Sequence, residues 1–212
     1  MLTGTMHKRD LPHIDVPGSS YFVTTCLKGS ISAQGFLDLL RCRDQLEPRV
    51  LPSQVADRDW DERRWKLNFA RADEWLDERP AARHLEDPRL AGIVVDALKH
   101  FQDIRYRLLA YVVMPSHFHW AFQPLSEWFD ESPPSKLSAR SQIIHSINRH
   151  TAKLCNELMG RTGAFWQHES YDHRIRDDGE LERIIAYIEA NPVKAGLIER
   201  AEQWRFSSAH RA

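Results

Sequence analysis

The stretch Leu108-Leu109-Ala110-Tyr111-Val112-Val113-Met114-Pro115-Ser116-His117-Phe118-His119-Trp120-Ala121-Phe122 holds two apolar runs either side of one Pro-Ser pair. Proline fixes its own φ and cannot donate to a ladder, so Pro115-Ser116 predicts a turn, with strands over about 105–114 and 117–123. Side chains at i and i+2 of a strand point to one face. His117 and His119 therefore share a face, and Phe118 points to the other. Imidazole is the commonest protein metal ligand. The two residues are a metal-binding pair or two half-exposed strand histidines, and on their own they do not decide between these.

Working outward, Tyr21 to Leu27 is aromatic and β-branched and predicts another strand. Residues 1–20, with Pro12, Pro17 and Gly18, read as a surface lead-in. Between Lys28 and about Ala56 the pattern is weak. Trp65, Phe69, Ala72 and Leu76 then recur at helical spacing, predicting an amphipathic helix from about Asp61 to Arg79 whose many charges form a solvated face without chemistry. Asp87-Pro88 is a helix start, an acid at the N-cap and proline at the first helical position. Leu90, Ile93, Val94, Ala97, Leu98 and Phe101 make its apolar stripe. A second long helix is predicted from Lys136 to Met159, with Ile143, Ile144, Ile147, Thr151, Leu154 and Leu158 inward and Gly160 ending it. A strand over Glu169 to Arg176 follows, and Asp177-Asp178 cap a last helix running to about Ala190. Trp204 and Phe206 dock the C-terminal tail.

With residues 28–86 set aside as an inserted helical segment, the order is β-α-β-β-α-β and a final helix. That is an α+β, ferredoxin-like pattern: an antiparallel sheet with helices on one face, plus a C-terminal helix carrying Tyr187. A chain of 212 residues reads as one domain, with its core in 20–27 and 87–209.

Composition narrows the function. Hydrophobic content of 42% and charged content of 28% are ordinary for a globular protein. No apolar run is long enough to span a bilayer, and no apolar stretch follows the charged N-terminus as in a signal peptide. Three separated cysteines make neither a disulfide framework nor a cysteine zinc site, which fits a reducing cytoplasm. The net charge of -1 does not announce a nucleic-acid binder, so any such activity rests on a local basic patch. Lys136 to Lys153 has four Lys or Arg and no acid, and His145, Arg149 and Lys153 recur every four residues. This stripe either meets DNA phosphates or is a solvated helix face. Arg174 and Arg176 alternate on the strand before the last helix and can also reach phosphate. Trp166 or Tyr171 can stack on an unpaired base, although a core role suits Trp166 better.

On the last helix, Leu181, Ile184, Ile185 and Ile188 form the buried stripe, Tyr187 lies at its edge, and Asn191 follows four residues later. The two share a face if the helix persists, but Pro192 disfavours the α conformation at Asn191 and predicts that the helix stops there.

His117-Phe118-His119 resembles the His-hydrophobe-His motif of the HUH single-strand nucleases. The runs Phe165-Trp166-Gln167-His168-Glu169-Ser170-Tyr171-Asp172-His173-Arg174 and Tyr187-Ile188-Glu189-Ala190-Asn191-Pro192-Val193-Lys194-Ala195-Gly196-Leu197 resemble the C-terminal half of single-tyrosine transposases, REP-associated branch. Trp204-Arg205-Phe206-Ser207-Ser208-Ala209 is similar to that branch's closing motif. The resemblance covers 87–209 well and 20–27 weakly. It implies a ferredoxin-like fold, Tyr187 as nucleophile, and His117, His119 and Asn191 as ligands of a divalent metal, Mg²⁺ or Mn²⁺, with zinc also able to bind such a set. It implies single-stranded or hairpin DNA as partner, a 5′-phosphotyrosine intermediate, and action as a monomer or a homodimer. Many relatives carry lysine where this chain has Asn148, a departure that, with the near-neutral total charge, weakens the case for tight DNA affinity but not for the chemistry. The alternative implied by the same fold is a catalytically inactive, hairpin-binding regulatory module. A zinc hydrolase built on His117 and His119 lacks further ligand motifs.

Overall fold

The computed structural model describes residues 5–8, 12–15, 18–32, 34–35, 37–39, 41, 70–77, 80–131, 137–168 and 170–211. All four predicted strands are present, the first three being β3 (Ser20–Cys26), β4 (Tyr106–Val113) and β5 (His117–Pro124). With β6 (Tyr171–Ile175) they form one antiparallel sheet in the order β6-β3-β5-β4. β3 and β4 each pair with β5, so they run parallel to one another with β5 between them, and a helix makes the crossover. The second half repeats this, with β3 between β5 and β6. These are two split βαβ units, the ferredoxin-like arrangement. Part of the expected lead-in is itself paired: β1 (Thr5–Lys8) and β2 (Pro12–Asp15) form a separate two-stranded antiparallel sheet.

Alternation along the strands divides the core. Tyr21, Val23, Phe118, Trp120, Phe122, Tyr111 and Val113 face the helices α2 (Pro88–His100) and α4 (Ala139–Leu158), which deliver Leu90, Val94, Leu98, Ile143, Ile147 and Cys155. Phe22, Ala110, Val112, Met114 and Ala121 face the opposite way, against Ile188 of α5 (Asp178–Lys194). A register shift between Leu108 and Ala110 turns Leu109 and Ala110 toward the α5 face together. Trp120 stacks on Phe122 with ring centroids 4.1 Å apart, so truncating either costs about 3–5 kcal/mol.

The caps follow chemistry legible in the sequence. Asp87 accepts from the Arg89 N–H at 2.9 Å and Asp177 from the Glu180 N–H at 2.7 Å. Gly160, at φ 62°, sits past the end of α4, and the Arg161 N–H reaches back to the Asn156 carbonyl. Leu158 is 44% exposed, a turn beyond the core rather than inward as its spacing suggests. The tail docks as expected: Trp204 Nε1 donates to the Val113 carbonyl at 2.9 Å, and Ser207 bridges to Val112, covering the outer edge of β4. A short helix α3 (Ser126–Glu131) links β5 to α4. Helical backbone occupies 70–77, here α1; the predicted start of that helix lies outside the described residues. Among the described residues no helix is long and apolar enough to cross a membrane.

One boundary differs. α5 does not stop at Asn191 but runs through Pro192 to Lys194. Proline removes one N–H, the partner of the Ile188 carbonyl, while the last turn is closed from beyond it. Gly196, at φ 69°, donates to the Val193 carbonyl and Leu197 to the Pro192 carbonyl. Tyr187, Asn191 and Lys194 therefore lie along one continuous helix.

Candidate functional site

His117 and His119 are fully buried on the α5 face of the sheet, opposite Cys26 and Thr24 of β3. Neither is half-exposed. Their Nε2 atoms stand 3.0 Å apart. Each Nδ1 meets a hydroxyl, His117 that of Ser116 at 2.9 Å and His119 that of Thr24 at 2.7 Å. The Ser116 hydroxyl also donates to the Leu76 carbonyl at 3.1 Å. A hydroxyl has one hydrogen, so Ser116 accepts from His117 Nδ1–H, and His117 Nε2 is left bare. Two bare nitrogens cannot sit 3.0 Å apart, so His119 Nε2 carries a proton.

That proton faces a residue from outside the strand. Asp73 of α1 is 1% exposed, with Oδ1 3.2 Å from His119 Nε2. Its other oxygen accepts from Lys194 Nζ of α5 at 2.7 Å. Asp77, one turn on, lies 3.5 Å from the same ammonium and 4.0 Å from His117 Nε2. The acids of this helix are thus not all a solvated face; Asp73 and Asp77 turn inward because the histidines and Lys194 provide partners that the helix alone does not show. One donor atom each from Asp73, His117 and His119 lie within 4.8 Å of one another, so this buried group could hold a metal ion. A cation placed among them would replace the shared proton. Two bare or exchangeable imidazole nitrogens and a buried carboxylate oxygen turned toward them fit such an ion.

The electrostatics are strongly coupled. Burial alone would raise the Asp73 carboxyl, but His119, His117 and Lys194 outweigh it and hold it below the usual carboxylate range. Burial and the charge of Asp73 push Asp77 up to about 6 despite Lys194. Burial and the neighbouring His119 keep His117 well below the ordinary imidazole value, hence neutral. The two carboxylates override the burial of Lys194 and raise it. Cys26, paired with His117 across the ladder, is pushed far up by burial and by the charge of Asp73, and stays a thiol.

Tyr187 comes to the same place from α5. Its ring centroid is 5.5 Å from that of His119, it meets Phe22 edge-on at 6.0 Å, and Lys194 Nζ lies 5.7 Å from its centre. Burial first, then the charge of Asp73, drive its hydroxyl well above the usual phenol value, and Asp73 and Asn191 are polar groups facing it. Asn191 is fully buried, and neither side-chain amide atom has a well-formed hydrogen bond.

No family model matches the chain. Over 107 residues it is 30% identical to a provisionally named REP-associated tyrosine transposase of Haemophilus influenzae, covering 50% of this chain and 60% of that protein. Over 114 residues it is 30% identical to the REP-associated tyrosine transposase of Escherichia coli, covering 54% and 61%. The chain resembles the REP-associated tyrosine transposases. Its matched part spans about six-tenths of the length of these relatives. A solved structure described as a REP-associated tyrosine transposase bound to a REP hairpin superposes with TM-score 0.51 at 17% identity, over 91% of this chain and 78% of that one, a likeness of fold.

Of the four residues expected from the sequence, Tyr187, His117, His119 and Asn191, the fold gathers the tyrosine with the histidine pair, and Asn191 stands one helical turn from the tyrosine. The basic residues fall elsewhere. His145, Arg149 and Lys153 are exposed on α4, across the sheet from Tyr187, around a surface cavity of about 470 Å³. Arg174 pairs across strands with Tyr21 and so shares the α4 face, and Arg176 is exposed at the entry to α5. Trp166 is core, packed on Phe118 at 5.2 Å and donating to Thr151 at 2.9 Å. Asp73, Asp77 and Lys194 escape a reading by motif. The signals were there: Asp73 and Asp77 are four apart beside the apolar Ala72 and Leu76, and Lys194 is seven after Tyr187.

Proposed function

We propose that this chain is a metal-dependent DNA endonuclease and strand transferase that attacks single-stranded DNA flanking a hairpin, with Tyr187 as nucleophile. The observation that carries this reading is the meeting of Tyr187 with the buried pair His117 and His119, elements far apart in sequence that face each other across one site.

A free phenol has a pKa of about 10 and is a poor nucleophile at neutral pH. Tyr187 is poorer still beside Asp73, so its reactivity depends on positive charge. In the step, the Tyr187 Oη–phosphorus bond forms as the bond from phosphorus to the leaving 3′ oxygen breaks. The phenol loses its proton and the 3′ oxygen gains one. The product is a 5′-phosphotyrosine and a free 3′-hydroxyl, a linkage that a second DNA end can attack in reverse. His117 and His119 would hold the ion through Nε2, with Asn191, the donor that the resemblance implies, or Asp73 as a third. A hard divalent ion, Mg²⁺ or Mn²⁺, neutralises phosphate charge and orients it when bound. Ser116 and Thr24 fix the imidazoles, Phe22 seats the Tyr187 ring, and Lys194 brings an ammonium to the mouth of the site. His145, Arg149, Lys153 and Arg174, on the far face, would take phosphates remote from the scissile bond, with Arg176 at the entry to α5.

Incubation of the chain with Mn²⁺ and labelled single-stranded hairpins should yield a protein–DNA adduct that survives denaturation. Tyr187→Phe should give none while still binding the hairpin. An adduct with that variant, or one formed in excess EDTA, overturns the proposal; hairpin binding without any adduct by the unaltered chain would instead support a regulatory, non-catalytic module.

A further inference from the structure

We propose that Asp73, rather than Asn191, supplies the third protein donor to the metal of this site, and that Asn191 serves the tyrosine. This rests on the metal-centre reading above and deepens it. Asp73 Oδ1 lies 3.2 Å from His119 Nε2, and its donor atom shares a 4.8 Å cluster with both imidazoles. Its orientation is set from behind: Oδ2 is engaged by Lys194 at 2.7 Å, which leaves Oδ1 turned to the histidines. Metal-ligating carboxylates are commonly held in this way through their second oxygen. Asn191 is one helical turn past Tyr187, and its amide faces the tyrosine hydroxyl.

Donor chemistry points the same way. A hard divalent cation binds an anionic carboxylate oxygen in preference to a neutral amide. The consequence reaches the sequence. Residues 70–77 belong to the inserted segment that the element order sets aside, and on this proposal they are part of the reaction centre. The same carboxylate is tied through Lys194 to the helix that bears Tyr187.

The test is Mn²⁺ binding by the full chain without DNA, read by calorimetry and by the loss of the free-ion electron paramagnetic resonance signal. Asp73→Asn should weaken Mn²⁺ binding at least tenfold, while Asn191→Ala should leave it within about threefold and still lose adduct formation. Unchanged binding by Asp73→Asn, or loss of binding by Asn191→Ala as complete as in His119→Ala, overturns the proposal. If Asp73→Asn fails to fold, Asn191→Ala decides alone: retained Mn²⁺ affinity supports the proposal and lost affinity overturns it. Absence of Mn²⁺ binding by the unaltered chain would remove the metal centre itself. A Tyr187 adduct accompanied by normal Mn²⁺ binding in Asp73→Asn would remove this assignment alone.

Discussion

Ser116→Ala should uncouple the metal site from its support. The Ser116 side chain is fully buried, and its hydroxyl serves two masters: it donates to the Leu76 carbonyl at 3.1 Å and accepts from His117 Nδ1 at 2.9 Å. Leu76 is near the end of the described part of α1, and Pro80, four residues on, has no N–H to offer that carbonyl. Alanine would leave a buried carbonyl and a buried imidazole N–H without partners. At about 1–3 kcal/mol each, with partial relaxation, the metal-free fold should lose about 2–4 kcal/mol. His117 would also be free to change tautomer and turn, and loss of such a supporting hydrogen bond weakens a metal site about 10–100-fold. The assay is urea unfolding with and without Mn²⁺ at about one hundred times the unaltered chain's dissociation constant. There the ion should stabilise the unaltered chain by about 2.7 kcal/mol, and a 30-fold weaker variant by only about 0.9 kcal/mol. An equal Mn²⁺ increment in both would refute the reasoning, whatever happens to the metal-free stability. Thr24→Val makes the parallel test at His119, where one hydroxyl–imidazole contact of 2.7 Å is removed.

Further outcomes follow from other parts of the structure. Removing Arg149 and Lys153 together by alanine should weaken hairpin binding across sequences and lower the salt slope by about two, with cleavage of bound DNA unchanged, as seen in salt titrations beside single-turnover rates. Trp166→Ala should cost about 3–5 kcal/mol in urea unfolding, since the indole packs on Phe118 and donates to Thr151; a stable variant that only loses DNA affinity would mean the ring stacks on a base instead. Asp177→Ala should remove about 1 kcal/mol by uncapping α5, measured the same way. Burial pushes the Cys155 thiol up to about 12 and Cys26 higher still. Raising the pH from 7 to 9 should therefore not speed their alkylation in the native chain, although it would for an ordinary thiol; mass spectrometry of labelled peptides checks this.

Local pattern carried the sheet and its helices because their signals are local. The turn at Pro115-Ser116, the stripe of α2 behind Asp87-Pro88 and the N-cap at Asp177 each need only neighbouring residues to be read. The resemblance to the transposases brought Tyr187 to the histidines, which no periodicity could do. Asp73 and Asp77 were hidden for a physical reason. A carboxylate on an amphipathic helix is solvated unless something distant pairs with it, and here the partners come from β5 and α5. The path of α5 through Pro192 was missed similarly, since the closing bonds come from Gly196 and Leu197 beyond the expected stop. The basic stripe of α4 was visible at its spacing, but which face of the sheet it would cover depends on the tertiary crossover.

The central claim is that the Tyr187 hydroxyl is the atom that takes the DNA. After reaction with Mn²⁺ and a single-stranded hairpin substrate, nuclease and protease digestion followed by tandem mass spectrometry locates the nucleotide-linked peptide. The account predicts one modified peptide, with the phosphate on Tyr187. A linkage at Tyr171 or any other residue, or cleaved DNA with no linked peptide, would contradict it.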